Sequence, residues 1–271
     1  MSTSTLLIVL LAALLHAGWN ALIKAGTDKI RDSVLVSAFA GLIAAAILPF
    51  LPLPAAPSWA YILASATIHV AYYSLVGAAY RHGDMSFAYP LMRGLPPLLV
   101  ALASGPLMGD RLPLWAWAGI LSICGGVLSL VSLRRAPAKA ALFNALAIAG
   151  YTIIDGIGVR RSGQPLSYTL WIFLLGAIPL TAWASRGDGF WAFVRTRVWH
   201  GLAGGIGTLS AYGLVMFAMT KAPVAEVAAL RETSILFGMA MSTMVLKEKI
   251  GWNRAMAAAL VTLGAILLRL A

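Results

Sequence analysis

The sequence predicts an all-α integral membrane protein of ten transmembrane helices, and three observations predict it. Of 271 residues, 61% are hydrophobic and only 11% charged, where an ordinary soluble domain has about 45–50% and about 25%. The apolar residues gather in stretches that approach or reach the ~20 residues a helix needs to cross the hydrocarbon core. The polar breaks between them are short. Strands fit poorly, because the stretches lack two-residue alternation and an open sheet cannot satisfy its backbone in lipid.

In chain order the spans cover 5–24, 33–52, 58–80, 85–108, 112–133, 140–159, 166–185, 198–220, 223–246 and 251–270. The breaks read GTDKIRD, LPLPAAP, RHGD, GDR, RRAPAK, RRSGQP, SRGDG followed by RTR, TKAP and KEK. The opening MSTSTLLIVLLAALLHAGWN lacks a positive leading region, so it reads as a first span and not as a cleaved signal peptide. Ten spans leave almost nothing for an appended soluble domain. Cys124 lies alone inside an apolar stretch, which removes disulfide frameworks and cysteine-rich metal sites. No metal or cofactor is expected.

The net charge of +11 would suggest nucleic acid in a soluble chain. Here the basic residues sit mostly between apolar stretches, where they orient a membrane protein, so no nucleic-acid partner is expected. Breaks after odd-numbered spans hold thirteen of the 20 Lys and Arg; the other face, with both termini, holds Arg111, Arg160, Arg161, Lys221 and Arg269. The positive-inside rule then places both termini outside the cytoplasm.

The chain also repeats itself. A shift of 138 carries Arg93 onto Arg231, Asp110 onto Glu248, Arg111 onto Lys249 and Gly126 onto Gly264. A shift of 132 carries Ala17-Gly18-Trp19 onto Ala149-Gly150-Tyr151. The break at Arg134-Arg135-Ala136-Pro137 divides the spans into residues 1–135 and 138–271, five spans each. Five is odd, so the second set enters the membrane from the opposite side. Two inverted repeats with a substrate site near the midplane are a recurrent transporter plan.

At these residues the chain resembles an EamA-type member of the drug/metabolite transporter superfamily. The likeness rests on AYPLMRGLPPLLVALASGPLMGDRL and VAEVAALRETSILFGMAMSTMVLKEKI, the fourth span of each repeat. The family's Gly-Glu-Arg-Leu ending stands as Gly109-Asp110-Arg111-Leu112 and as Lys247-Glu248-Lys249-Ile250. The resemblance implies a cavity lined by spans 1–4 and 6–9, spans 5 and 10 packed to one side, and a bacterial-type cytoplasmic (inner) membrane. It also implies termini inside, against the charge count. The ten-helix bacterial branch exports amino acids; this sequence departs from that branch in carrying an Arg within spans 4 and 9.

Those arginines are the leading site candidates. An ionisable group at mid-membrane costs about 2.5–3.5 kcal/mol on insertion scales, so each arginine needs a cavity or a helix-locking ion pair with Glu232, Glu226 or Asp155. Guanidinium binds a carboxylate or phosphate through two parallel donors. Arg231 is assigned the substrate's carboxylate, with Glu232 or Asp155 for its amino group. Glu232 adjoins Arg231 but should point about 100° away on a helix, free to bind an amino group or a coupling proton. Arg93 has Tyr89 one turn before it. On span 1, His16, Asn20 and Lys24 form a polar stripe flanked by Trp19. His69 and Tyr73 on span 3 and Tyr212 on span 8 could line an amphipathic pocket.

Other features read as packing. Ala118, Ser122 and Gly126, like Gly201 and Gly205, let helices approach closely. Glu226 reads as interfacial. Pro96-Pro97 should break span 4; their repeat mates are Ser234-Ile235, so no matching break is expected in span 9.

A secondary transporter exporting amino acids or similar zwitterions, as a monomer or weak homodimer, is the first expectation. No nucleotide-binding loop is present, so the energy must come from a gradient or from the substrate itself. The runner-up substrate is an anionic or phosphate-bearing metabolite, with Arg93, Arg231 and Lys24 as a basic cluster. A membrane-embedded lipid or prenyl transferase is the alternative from another class, on the strength of Asp28 and Asp32 as a DxxxD pair. A second aspartate pair is missing. A purely structural subunit would not need polar stripes.

Overall fold

The computed structural model describes residues 1–26, 28–82, 85–131, 139–246 and 251–271, with backbone alone for 25, 73–82, 85–88 and 245–246. Helices occupy nearly all of it, and no strand occurs among the described residues. They are α1 (Thr3–Ala25), α2 (Lys29–Ile47), α3 (Trp59–His82), α4 (Met85–Gly94), α5 (Pro96–Met108), α6 (Leu114–Leu128), α7 (Lys139–Ser162), α8 (Pro165–Ala184), α9 (Phe190–Thr196), α10 (Val198–Met219), α11 (Val224–Arg231), α12 (Ser234–Leu246) and α13 (Trp252–Leu270). Among the described residues seven helical stretches are long and apolar enough to cross a membrane: Thr3–Lys24, Lys29–Phe50, Tyr89–Met108, Lys139–Ser162, Pro165–Ala184, Val198–Met219 and Trp252–Leu270. Leu114–Leu128 is apolar but shorter.

Local chemistry sets the ends. Ser2 caps α1 by accepting the Thr5 amide, and Asp28 caps α2 by accepting the Arg31 amide at 3.0 Å. Gly109 ends α5 in the left-handed region at φ 71°, a position that glycine occupies without strain. Asp110, the acid of the first repeat's motif, joins two elements. Its Oδ2 accepts the Val224 amide at the start of α11 (3.1 Å), and its Oδ1 accepts Arg160 Nη1 from α7 (3.0 Å). Arg160 also donates to the Met219 and Ala222 carbonyls, both at 2.9 Å, tying down the end of α10. The second motif's Glu248 lies outside the described residues.

The helices pair most extensively as α6 with α13, α1 with α10, α2 with α8 and α3 with α7. Small residues make the first pairing possible. A Cβ on Gly119 would stand 2.9 Å from the Gly264 carbonyl oxygen, and one on Gly126 would stand 3.0 Å from that of Ala257. Ser122 adds a hydrogen bond to the Leu260 carbonyl at 2.8 Å. Gly201 and Gly205 admit Phe39 of α2 in the same way.

Spans 4 and 9 are both broken, and here the structure departs from expectation. α4 ends at Gly94 and α5 begins at Pro96; α11 ends at Arg231 and α12 begins at Ser234. Pro96 and Pro97 lack amide hydrogens, so the carbonyls of Met92 and Arg93 lose their helical donors. The second break forms without proline. Glu232, Thr233, Ile235 and Leu236 donate three residues back, to Ala229, Leu230, Glu232 and Thr233, which tightens the winding into a 3₁₀ turn. Thr233 Oγ1 also donates to the Leu230 carbonyl at 2.7 Å, bending the chain where a polar side chain bonds its own backbone.

Candidate substrate site

The two breaks lie side by side and bring Arg93, Arg231 and Glu232 into one group. Arg93 Nε stands 2.8 Å from Glu232 Oε2, and its Nη2 donates to Ser234 Oγ at 3.1 Å. Arg231 Nε is 3.9 Å from Glu232 Oε1. Glu232 keeps right-handed helical backbone (φ −69°, ψ −12°) in the turn past α11, and its carboxylate is given mainly to Arg93, reaching Arg231 only at the longer distance. Arg93 therefore has a strong partner and Arg231 a weak one. Arg231 is 5% exposed and Glu232 2%. The Nε of Arg231 makes no hydrogen bond among the described residues. Two guanidiniums share one carboxylate here, which leaves one positive charge uncompensated.

Aromatic rings surround this charge. His69 stacks on Tyr151 with centroids 4.2 Å apart and meets Tyr212 edge-on at 5.6 Å. Tyr72 and Tyr212 flank Tyr151 at 6.1 and 6.5 Å. The charge of Arg231 acts on His16, His69, Tyr151 and Tyr212, and that of Arg93 acts on His16, Tyr72, Tyr89 and Tyr151. Tyr89 thus lies beside Arg93, as its one-turn spacing predicts. His16 meets Trp19 edge-on at 5.1 Å. The indole Nε1 of Trp19 is buried with no hydrogen-bond partner among the described residues. Asn20 donates at 2.7 Å to the His16 carbonyl, so its amide is held by its own helix. Tyr73's side chain lies outside the described residues.

Asp155 takes another position. It is completely buried on α7, and Oδ1 accepts the Tyr168 hydroxyl at 3.1 Å while Oδ2 accepts that of Tyr212. Its acceptors are filled by phenols, and no arginine pairs with it among the described residues. Sequence spacing did not indicate Tyr168 or Ser234. Tyr168 comes from α8 and Ser234 from α12, so only the tertiary packing joins each to its partner. The polar run Arg231-Glu232-Thr233-Ser234 inside an apolar span was the available signal for the second break.

The DxxxD pair resolves into separate ion pairs. Asp28 faces Arg31 at 3.3 Å and Asp32 faces Arg197 at 2.9 Å. Each carboxylate is neutralised by its own guanidinium, an arrangement unlike a shared metal site.

Residues 137–270 match the model of the EamA-like transporter family. The second half of the chain is an EamA-like transporter domain. The EamA-like family is a transporter family and not an enzyme family, and with seven membrane-length apolar helical stretches among the described residues the chain is a multi-pass membrane protein. Twenty-eight chains of solved structures match it as well. One, a crystal structure of a protein, is 20% identical with a TM-score of 0.78, over 100% of this chain and 98% of the other. At that identity the likeness shows a shared fold. No curated protein matches.

Proposed function

We propose that this EamA-like chain is a secondary transporter of small carboxylate-bearing metabolites, amino acids first among them, exported across a bacterial-type cytoplasmic membrane. The observation that carries the reading is Arg231: buried, lying at a helix break, and holding less than a full share of one carboxylate. A substrate carboxylate supplies the missing charge and the bidentate partner that guanidinium favours. The unpartnered indole of Trp19 and the His69–Tyr151–Tyr212 rings offer a donor and ring faces for the rest of the molecule.

Alternating access between two inverted five-span repeats supplies the movement. Several observations support that plan. The breaks after Gly94 and near Glu232 fall at the 138-residue shift. Exchanging the halves turns the α1–α10 pairing into the α7–α3 pairing and maps α6–α13 and α2–α8 onto themselves. Gly126 against Ala257 likewise becomes Gly264 against Gly119.

The test is uptake of labelled amino acids by purified protein in lipid vesicles, each competed by its matched 2-oxo acid. A charged hydrogen bond is worth about 1.5–3 kcal/mol, so Arg231→Gln should reduce apparent affinity roughly 10- to 150-fold. Unchanged affinity in a well-folded Arg231→Gln protein contradicts the assignment. A purely anionic substrate is the second reading. It is favoured by the commitment of Glu232 to Arg93 and of Asp155 to two phenols, which leaves a substrate ammonium only ring faces. Under that reading the 2-oxo acids compete better than the amino acids.

A further inference from the structure

Asp28, Asp32, Asp110 and Glu232 each have an arginine nitrogen within 3.3 Å. Glu226 and Asp155 are buried with no arginine paired to them among the described residues, and of the two Asp155 is the one enclosed by hydroxyl donors, 0% exposed about two turns before the end of α7. Tyr168 of α8 and Tyr212 of α10 donate to its two oxygens, and the Ser65 hydroxyl of α3 lies within reach of the carboxyl. Gly158, one turn along α7, makes room for the cage: a Cβ there would fall on the Tyr168 phenol oxygen. The charges of Asp155 and Tyr151, on the same helix, act on each other, the charge of Arg231 on α11 acts on Asp155, and His69 lies one step beyond Ser65.

Burying a carboxylate without a countercharge is expensive, whereas its protonated form needs only hydrogen bonds. A hydroxyl serves either form, because it donates to a carboxylate and accepts from an acid. A cage of hydroxyls can therefore hold both charge states without moving a helix, which an arginine pair cannot do. The cage also has a way out. Ser65 Oγ is 3.2 Å from His69 Nδ1, and the His69 ring stacks on Tyr151 beside Arg231.

We propose that Asp155 is the coupling site of the transporter, binding one proton that exchanges with the substrate cluster through Ser65 and His69. The proposal rests on the transporter reading above. Loading forms one O–H bond on a carboxyl oxygen and cancels one negative charge; unloading returns the proton to water, and no other reactant is required. The loaded form weakens the claim of Asp155 on the Tyr212 hydroxyl. Because the Tyr212 ring contacts His69 and Tyr151, the proton's presence is felt where the substrate binds.

The first test needs no substrate: infrared spectra of the purified full-length protein in lipid vesicles, titrated with pH. The carbonyl stretch of a protonated carboxyl should appear and disappear in the wild type and be missing in Asp155→Asn. Tyr168→Phe, which leaves the carboxyl and removes one donor, should move the midpoint of that titration. Identical titrations in the wild type and a well-folded Asp155→Asn overturn the proposal; if Asp155→Asn does not fold, an unmoved midpoint in Tyr168→Phe overturns it. The second test is uptake of an amino acid mixture with and without an imposed pH gradient. Asp155→Asn should keep downhill exchange and lose the response to the gradient, and a retained response overturns the coupling role. Absence of uptake in the wild type would contradict the transporter reading, while the infrared titration still decides whether Asp155 takes a proton.

Discussion

The two helix breaks occupy matching positions in the two halves yet are built from different chemistry. At the first, Pro96 and Pro97 interrupt the amide ladder, and the break carries a base, Arg93. At the second, a 3₁₀ turn through Glu232 and Thr233 does the same work, and the break carries both a base and an acid. The acid crosses to the first break: Glu232 pairs with Arg93 at 2.8 Å and leaves Arg231 at 3.9 Å. Equivalent arginines thus acquire unequal roles. Arg93 with Glu232 locks the breaks together, and Arg231 stays available. A buried ion pair is weak evidence for net stability, but losing one partner strands the other.

That inequality can be broken deliberately. The largest expected effect is that of Glu232→Gln, which strands Arg93 and removes the weak partner of Arg231. Breaking a buried pair costs about 3–5 kcal/mol, so the detergent melting temperature should fall steeply. The Arg93→Gln, Glu232→Gln double variant should regain much of the loss, because the cluster then again carries one uncompensated positive charge, that of Arg231, as in the wild type, and not two. Next is Arg231→Lys, which keeps the charge and loses the fork. It should weaken substrate affinity less than Arg231→Gln and change melting little, read by vesicle uptake beside thermal unfolding.

Smaller effects sharpen the contrast. Asp110→Asn removes the charge that joins Arg160 to the start of α11, one helix before the second break. Arg160 is 29% exposed, so the loss should be about 1–2 kcal/mol, between exposed and buried charged bonds. Thermal melting measures it. The smallest is replacing Pro96 and Pro97 by Ala. Both stand in the first turn of α5, where proline is tolerated, so stability should change by under about 1 kcal/mol. Uptake should suffer more than melting does, because the carbonyls of Met92 and Arg93 regain helical donors.

Much of this was legible in the sequence. The apolar stretches coincide with helices, the proline pair announced the first break, and the 138-residue shift placed Arg93 opposite Arg231. Small residues at four-residue spacing announced the close approach of α6 and α13. The second break was not legible, because its cause is a tightened turn stabilised by Thr233 and not a residue that forbids helix. The pairing of Arg93 with Glu232 was legible only as one candidate beside Glu226 and Asp155, because tertiary packing alone selects which acid reaches Arg93. The hydroxyl cage of Asp155 escaped as well. Its donors come from α3, α8 and α10, and no local spacing connects elements that meet only after folding.

The central claim is that Arg231, and not Arg93, anchors the substrate. Ligand-induced thermal stabilisation tests it most directly, because a ligand that binds the folded state stabilises it by RT ln(1 + [L]/Kd) and so raises the melting temperature. The wild type, Arg231→Gln and the Arg93→Gln, Glu232→Gln double variant would be melted in detergent with and without a saturating mixture of amino acids and 2-oxo acids. The account predicts a rise for the wild type and the double variant, in which Arg231 survives, and no rise for Arg231→Gln. A rise that persists in Arg231→Gln and vanishes in the double variant would contradict it.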